Sequence, residues 1–166
     1  PAGRNLDVIA GKIATRIAAA SIEVLNLIRP ASIRWQIIPN TYEMWWETDA
    51  EGAINRLINE SQNWWTSERL EKAKSQGVSA EEAVILASIV QAETSVLSEA
   101  PIVAGLYLNR LKIGQALQAD PTLIYAWDDI SITRVLDIHK AIDSPYNTYK
   151  NTGLPPGTIR TPEPTF

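Results

Sequence analysis

SAEEAVILASIVQAETSVL, residues 79–97, decides how the chain is read, because one carboxylate, Glu93, stands in a segment otherwise built for burial. Ser79 followed by Glu82 makes a capping box, in which each side chain satisfies a free N–H of the first turn. A helix is therefore expected to open at Ala80 or Glu81. Leu86, Ile89, Val90 and Leu97 share the Glu93 face at helical spacing, and Ile85, Ala92 and Val96 cover much of the rest. A helix apolar on nearly all sides belongs inside its domain. An ionised carboxylate there must find partners or raise its pKa, since desolvation disfavours the charge. That is how a side chain of free pKa about 4.3 becomes a general acid near neutral pH. A glutamate near a helix end can also snorkel to water or pair with an arginine, and the pattern alone leaves both readings open.

A chain of 166 residues with 45% hydrophobic content is long enough to bury a core. With 15 basic and 19 acidic residues the net charge is -4, and no Lys or Arg run forms a track for phosphates, so nucleic acid is not an expected partner. The absence of cysteine removes disulfides and thiolate metal sites, and the single histidine leaves little scope for zinc. Neither a metal nor a cofactor is expected. Adjacent Asp128 and Asp129 lack the further ligands one ion needs. No apolar run of about twenty residues is present. The start at Pro1 and the end just after a Pro-rich turn read as a piece of something longer.

Before the central stretch, residues 5–20 carry apolar positions at helical period, and Ser21 is placed to cap a second short helix that Pro30 closes. Residues 33–46 alternate and are rich in aromatic and β-branched types, which predicts a short strand, a turn at Pro39-Asn40, then irregular chain. Trp45 and Trp46 read as half core and half rim, with stacking on sugar rings the alternative. Thr48 or Asp49 caps a single long helix ending at Gly77.

After it, Pro101 suits a first helical turn and Gly114 a stop. Arg110 on that apolar helix suggests a guanidinium paired with Glu93 or Asp120. The polar loop 117–122 runs into a short helical stretch. Ser131 caps a helix that includes His139, read as solvated and not catalytic. Residues 144–156, rich in turn formers, present Tyr146, Asn147 and Tyr149 either to a polar ligand or to the loop's own backbone.

Four stretches, ILASIVQAET (85–94), GLYLNRLKIGQALQADPT (105–122), SPYNTYKNTGLPPG (144–157) and IIPNTYE (37–43), together resemble the endolytic murein transglycosylases, a family also known as YceG-like. Their order and spacing match as well as their content. The resemblance implies an α+β, mainly helical, lytic-transglycosylase-type catalytic domain over 35–166, preceded at 1–34 by the helical remnant of a lysin-motif-like module. It implies cleavage of peptidoglycan glycan strands between N-acetylmuramic acid and N-acetylglucosamine, with Glu93 the catalytic residue and a 1,6-anhydro ring as product. Gln118, Asp120, Tyr146, Asn147, Tyr149 and Asn151 then bind substrate, with Gln91 and Arg110 structural beside the site.

Many relatives carry an acid where this chain has Gln91. The resemblance also implies an amino-terminal membrane anchor outside this chain, a place at the inner membrane facing the periplasm, and cell-wall synthesis proteins as partners. Two other readings stand beside it. One is a module that grips peptidoglycan without cutting it. The other is a pyridoxal-phosphate lyase, disfavoured because every lysine here sits in a polar or helix-end context and not in a desolvated pocket. The loops around Gln118 and Tyr146 are expected to wall the site of Glu93.

Overall fold

The computed structural model describes residues 6–129 and 131–166. Among them the regular elements are all helices: α1 (Leu6–Ala14), α2 (Ser21–Ile28), α3 (Ala31–Arg34), α4 (Ala50–Trp64), α5 (Ser67–Ser75), α6 (Ala80–Glu93), α7 (Ala100–Lys112), α8 (Asp120–Trp127) and α9 (Asp137–Lys140). No strand occurs among the described residues, so the α+β expectation is corrected to an all-helical fold. The predicted strand at 33–46 shows why. A strand is stable only against a partner ladder, and β propensity largely measures packing on such a surface. Here Pro30 instead opens α3, and beyond it Ile37, Tyr42 and Met44 pack into a helical core from irregular backbone. The Tyr42 hydroxyl donates to the Ile38 carbonyl at 2.5 Å and closes that loop on itself.

Three predicted helices are shorter than their patterns. The first stops at Ala14, beyond which the backbone runs through turns. The long helix 50–77 breaks after Trp64 because Thr66 caps a new one, its hydroxyl accepting from Arg69 N at 3.4 Å. Hydroxyl side chains within a helical pattern compete for the backbone in this way. At the earlier end Asp49 is the cap, accepting from Gly52 N at 2.8 Å, and Gly77, at φ +80°, takes the left-handed turn after α5. Ser131 does not cap a helix. Asp129 Oδ1 takes both its N–H, at 2.8 Å, and its hydroxyl, at 2.6 Å, leaving only the single turn α9.

The chain divides into two compact units, Pro1–Glu81 with Arg160–Pro164, and Glu82–Ile159 with Thr165–Phe166. In the first, α1 packs on α2 and α2 on α4 around Ala10, Val24, Ile28, Ile54 and Leu57. Trp45 and Trp46 stay outside that core, 85% and 71% exposed, so neither is the half-core residue the sequence suggested. A groove of about 880 Å³ lies within this unit between α1 and residues 37–44, and it contains none of the expected site residues.

The second unit is built on the buried face of α6. Leu86, Ile89 and Val90 pack with Tyr107 of α7, Leu117 and Ile159. Ser88, fully buried on α6, donates to Ile85 O at 2.6 Å and accepts from Ile159 N at 3.2 Å, which moors the segment after the Pro-rich turn to the helix. Ser88→Ala would strand that buried N–H. A loss of about 1–3 kcal/mol is expected in chemical denaturation, the usual cost of an orphaned buried donor; an unchanged unfolding midpoint would contradict it.

Candidate active site

Glu93 is the last residue of α6. The expectation of a carboxylate enclosed within the helix is corrected: the α6 residues that are buried run only to Val90, and Glu93 taken whole is exposed. Its carboxyl is nonetheless partly enclosed by protein. Oε1 accepts from the Tyr107 hydroxyl at 2.8 Å, and protein packed around the carboxyl raises its pKa above the ordinary value. The Tyr107 bond opposes that rise and the charge of Asp120 adds to it. A helix C-terminus disfavours an anion as well. The result is a carboxyl that a ligand can reach but that water solvates poorly.

Tyr107 reaches Glu93 from α7, with its ring in the core and only 4% of the residue exposed. Burial first, then the bond to Glu93, pushes its hydroxyl far above the usual phenol range, so it remains a donor. Sequence reasoning gave Tyr107, within the stretch 105–122, no role. A clue was available, since a buried tyrosine hydroxyl must find a polar partner.

The other side of the site comes from the loop before α8 and the loop 144–151. Gln118 N donates to Thr148 O at 3.0 Å, and Ala119 N to Thr148 Oγ1 at 3.0 Å. Thr122 Oγ1 lies 2.8 Å from Thr148 Oγ1 and donates to Ala119 O at 2.7 Å. Thr122 and Thr148 are buried, and this clasp fixes one loop against the other. It brings Asp120 beneath Tyr149, whose hydroxyl donates to Asp120 Oδ1 at 2.5 Å. Burial, then that bond, pushes Tyr149 up to about 12, so it too is a neutral donor at physiological pH. Glu93 and Asp120 act electrostatically on both tyrosines, which gathers two carboxyls and two phenols into one cluster.

The remaining predicted residues make the following contacts. Arg110 forms no ion pair with Glu93 or Asp120. Its Nη1 donates to Leu117 O at 2.5 Å and Ala116 O at 3.3 Å, with Gln118 Oε1 at 3.5 Å, so it staples the turn after α7. Its charge still lowers the pKa of Tyr107 and Tyr149. Gln118 is exposed and holds φ +54°, a left-handed conformation rare for a residue with a Cβ.

Asn147 is fully buried. Its amide donates to Lys140 O at 3.0 Å and Ile142 O at 2.8 Å, and its oxygen accepts from Tyr149 N at 3.0 Å and Lys150 N at 3.3 Å. Asn151 Nδ2 likewise donates to Ser144 O and Asn147 O. Both asparagines therefore shape the loop that carries Tyr149. Tyr146 stands with its ring 4.7 Å from Tyr125, and Gln91 is half-buried on α6. His139 is not merely solvated: its Nδ1 accepts from Leu136 N at 2.9 Å and caps α9.

The raised pKa of Glu93 has a consequence for stability. A carboxyl whose folded pKa exceeds its unfolded one favours folding while protonated. That contribution is complete below the ordinary value of 4.5 and is lost as pH rises through the folded value. Glu93→Gln, neutral at every pH, should therefore melt higher than the wild type at neutral pH and lose that advantage in acid. Equal melting temperatures across that range would refute the desolvated carboxyl.

A family model described as the YceG-like family matches residues 1–165. An endolytic murein transglycosylase of Bacillus subtilis (strain 168) is 37% identical over 113 residues, 68% of this chain and 31% of its own length. One from Streptococcus pneumoniae strain D39 is 31% identical over 130 residues, 76% of this chain and 23% of its own. The chain thus spans less than a third of the length of these curated relatives. A crystal structure of a yceG-like protein from Listeria monocytogenes superposes with a TM-score of 0.68 at 25% identity, over 96% of this chain and 52% of that one.

Proposed function

Because the chain belongs to the YceG-like family, we propose that it carries the glycan-cleaving site of an endolytic murein transglycosylase, with Glu93 as general acid and then base. One observation carries the reading: the Glu93 carboxyl is reachable yet desolvated enough to hold a proton above its ordinary pKa. Such a group is suited to general acid catalysis near neutral pH. In this reading residues 35–166 carry the chemistry and 1–34 are the remnant of a lysin-motif-like module.

The protonated Glu93 gives its proton to the oxygen bridging N-acetylmuramic acid to N-acetylglucosamine, and the bond from that oxygen to C1 breaks. The resulting carboxylate then takes the proton of the muramyl C6 hydroxyl as O6 closes on C1. No water is consumed, and the product ends in a 1,6-anhydro ring. Since the sugar supplies the nucleophile, one protein carboxylate suffices where hydrolysis of glycosides commonly uses two. Attack from within the same ring also profits from high effective molarity. Asp120, whose charge reaches Glu93, and the neutral donor Tyr149 are suited to the positive charge and the hydroxyls of the distorted sugar.

The names of the relatives support peptidoglycan as substrate. A membrane anchor, a periplasmic setting and cell-wall synthesis partners extend the same reading to the whole protein. No helix among the described residues is long and apolar enough to cross a membrane. The test is digestion of purified sacculi with wild-type and Glu93→Gln protein. Soluble muropeptides released by the wild type alone support the reading, release by neither would leave a binding module, and equal release by both would mean a different acid.

A further inference from the structure

A carboxyl acid has two oxygens, and the chemistry above needs to know which one carries the proton. Oε1 of Glu93 already accepts the Tyr107 hydroxyl at 2.8 Å. Tyr107 cannot easily turn away, because its ring is packed among Leu86, Ile89 and Leu117 and the residue is buried. An oxygen that receives an O–H bond is the carbonyl-like member of a protonated carboxyl, so the acid proton sits on its neighbour.

We infer that Tyr107 is a positioning residue that reserves Oε1 of Glu93 and leaves Oε2 as the single oxygen through which the proton passes. The inference rests on the acid-then-base reading of Glu93. In the first half-reaction the proton leaves Oε2 for the bridging oxygen as the bond from that oxygen to C1 breaks. In the second, Oε2 takes the C6 hydroxyl proton as O6 bonds to C1. Tyr107 stays a donor to Oε1 throughout, so the carboxyl need not rotate between the two halves.

Tyr107→Phe keeps the ring and deletes the donor. Because a hydrogen bond to a carboxylate favours its charged form, the Glu93 titration should move upward, read directly from its carboxyl carbon by NMR. The alkaline limb of the pH–rate profile, where the acid loses its proton, should move the same way. Turnover should fall roughly tenfold, a fraction of what a positioned acid contributes. A change in packing alone would lower the rate without moving either titration.

Should Tyr107→Phe not fold, 3-fluorotyrosine at position 107, a stronger donor of nearly the same shape, should move both titrations downward. A Glu93 titration unchanged by either replacement overturns the inference. The NMR titration needs no activity, so it separates the two ideas. Full activity in Glu93→Gln would remove the proposed function, whereas an unmoved titration beside an inactive Glu93→Gln would remove only the role of Tyr107.

Discussion

Glu93→Gln should lose about a thousandfold in the rate of glycan cleavage while keeping its fold, within the 10²–10⁴ contributed by general acid–base groups. The amide still offers an oxygen to the Tyr107 hydroxyl, which now reaches Glu93 Oε1 at 2.8 Å. It has no acidic proton to give, so the bridging oxygen would leave as an alkoxide. Glu93→Asp gives a complementary result. The acid is retained but withdrawn by one methylene from Tyr107 and from the field of Asp120. A misplacement of about 1 Å in a catalytic group costs on the order of a hundredfold, so this variant should be slow but measurable. Single-turnover cleavage of defined glycan strands distinguishes the two. Equal rates for Glu93→Gln and the wild type would mean that another group supplies the proton.

The largest expected loss of stability comes from Asn147→Leu. Four hydrogen bonds converge on this buried side chain, two given to the carbonyls of Lys140 and Ile142 and two taken from the N–H groups of Tyr149 and Lys150. Leucine removes all four without replacing one. Buried orphaned groups cost about 1–3 kcal/mol each, and connected networks couple, so a total of about 3–5 kcal/mol is expected. That is a large part of a domain's stability. Urea unfolding reads it. Because the Asn147 oxygen also holds the amide of Tyr149, whose hydroxyl meets Asp120, the variant should lose activity below its unfolding transition as well. A variant as stable and active as the wild type would show that the 144–151 loop is held by other means.

The sequence made some features legible and hid others for physical reasons. Helical period along 85–90 identified the buried face of α6, because packing there follows the spacing of Ile85, Leu86, Ile89 and Val90. Pro101 and Gly114 marked the limits of α7, since both act through backbone geometry that needs no distant partner. The strand expected at 33–46 did not appear, because whether β-branched and aromatic residues form a ladder depends on a partner that local sequence does not reveal. Side-chain oxygens misled as well. Thr66 breaks a helix by capping the next, while Ser131 gives its hydroxyl to Asp129 instead of capping anything.

In the site, Glu93 was singled out by its apolar surroundings, but its exposure at the end of α6 was not foreseen, since spacing does not say where a helix stops. Arg110 was matched to acids by charge, although three acceptors in 116–118 were nearer. Tyr107 was hidden within an apolar stripe, where its ring obeys the pattern and only its hydroxyl departs from it. Asn147 fitted a ligand-binding loop by composition, and its burial shows that composition alone does not separate a residue that contacts ligand from one that shapes the loop.

In the proposed mechanism the muramyl C6 hydroxyl, and not water, takes over the C1 bond that Glu93 helps to break. Digesting defined glycan strands in water enriched in heavy oxygen, then weighing the fragments, tests it directly. Muramyl ends in the anhydro form, without label, are expected, and they should disappear in Glu93→Gln. Reducing muramyl ends carrying one heavy oxygen would make the protein a hydrolase and contradict it.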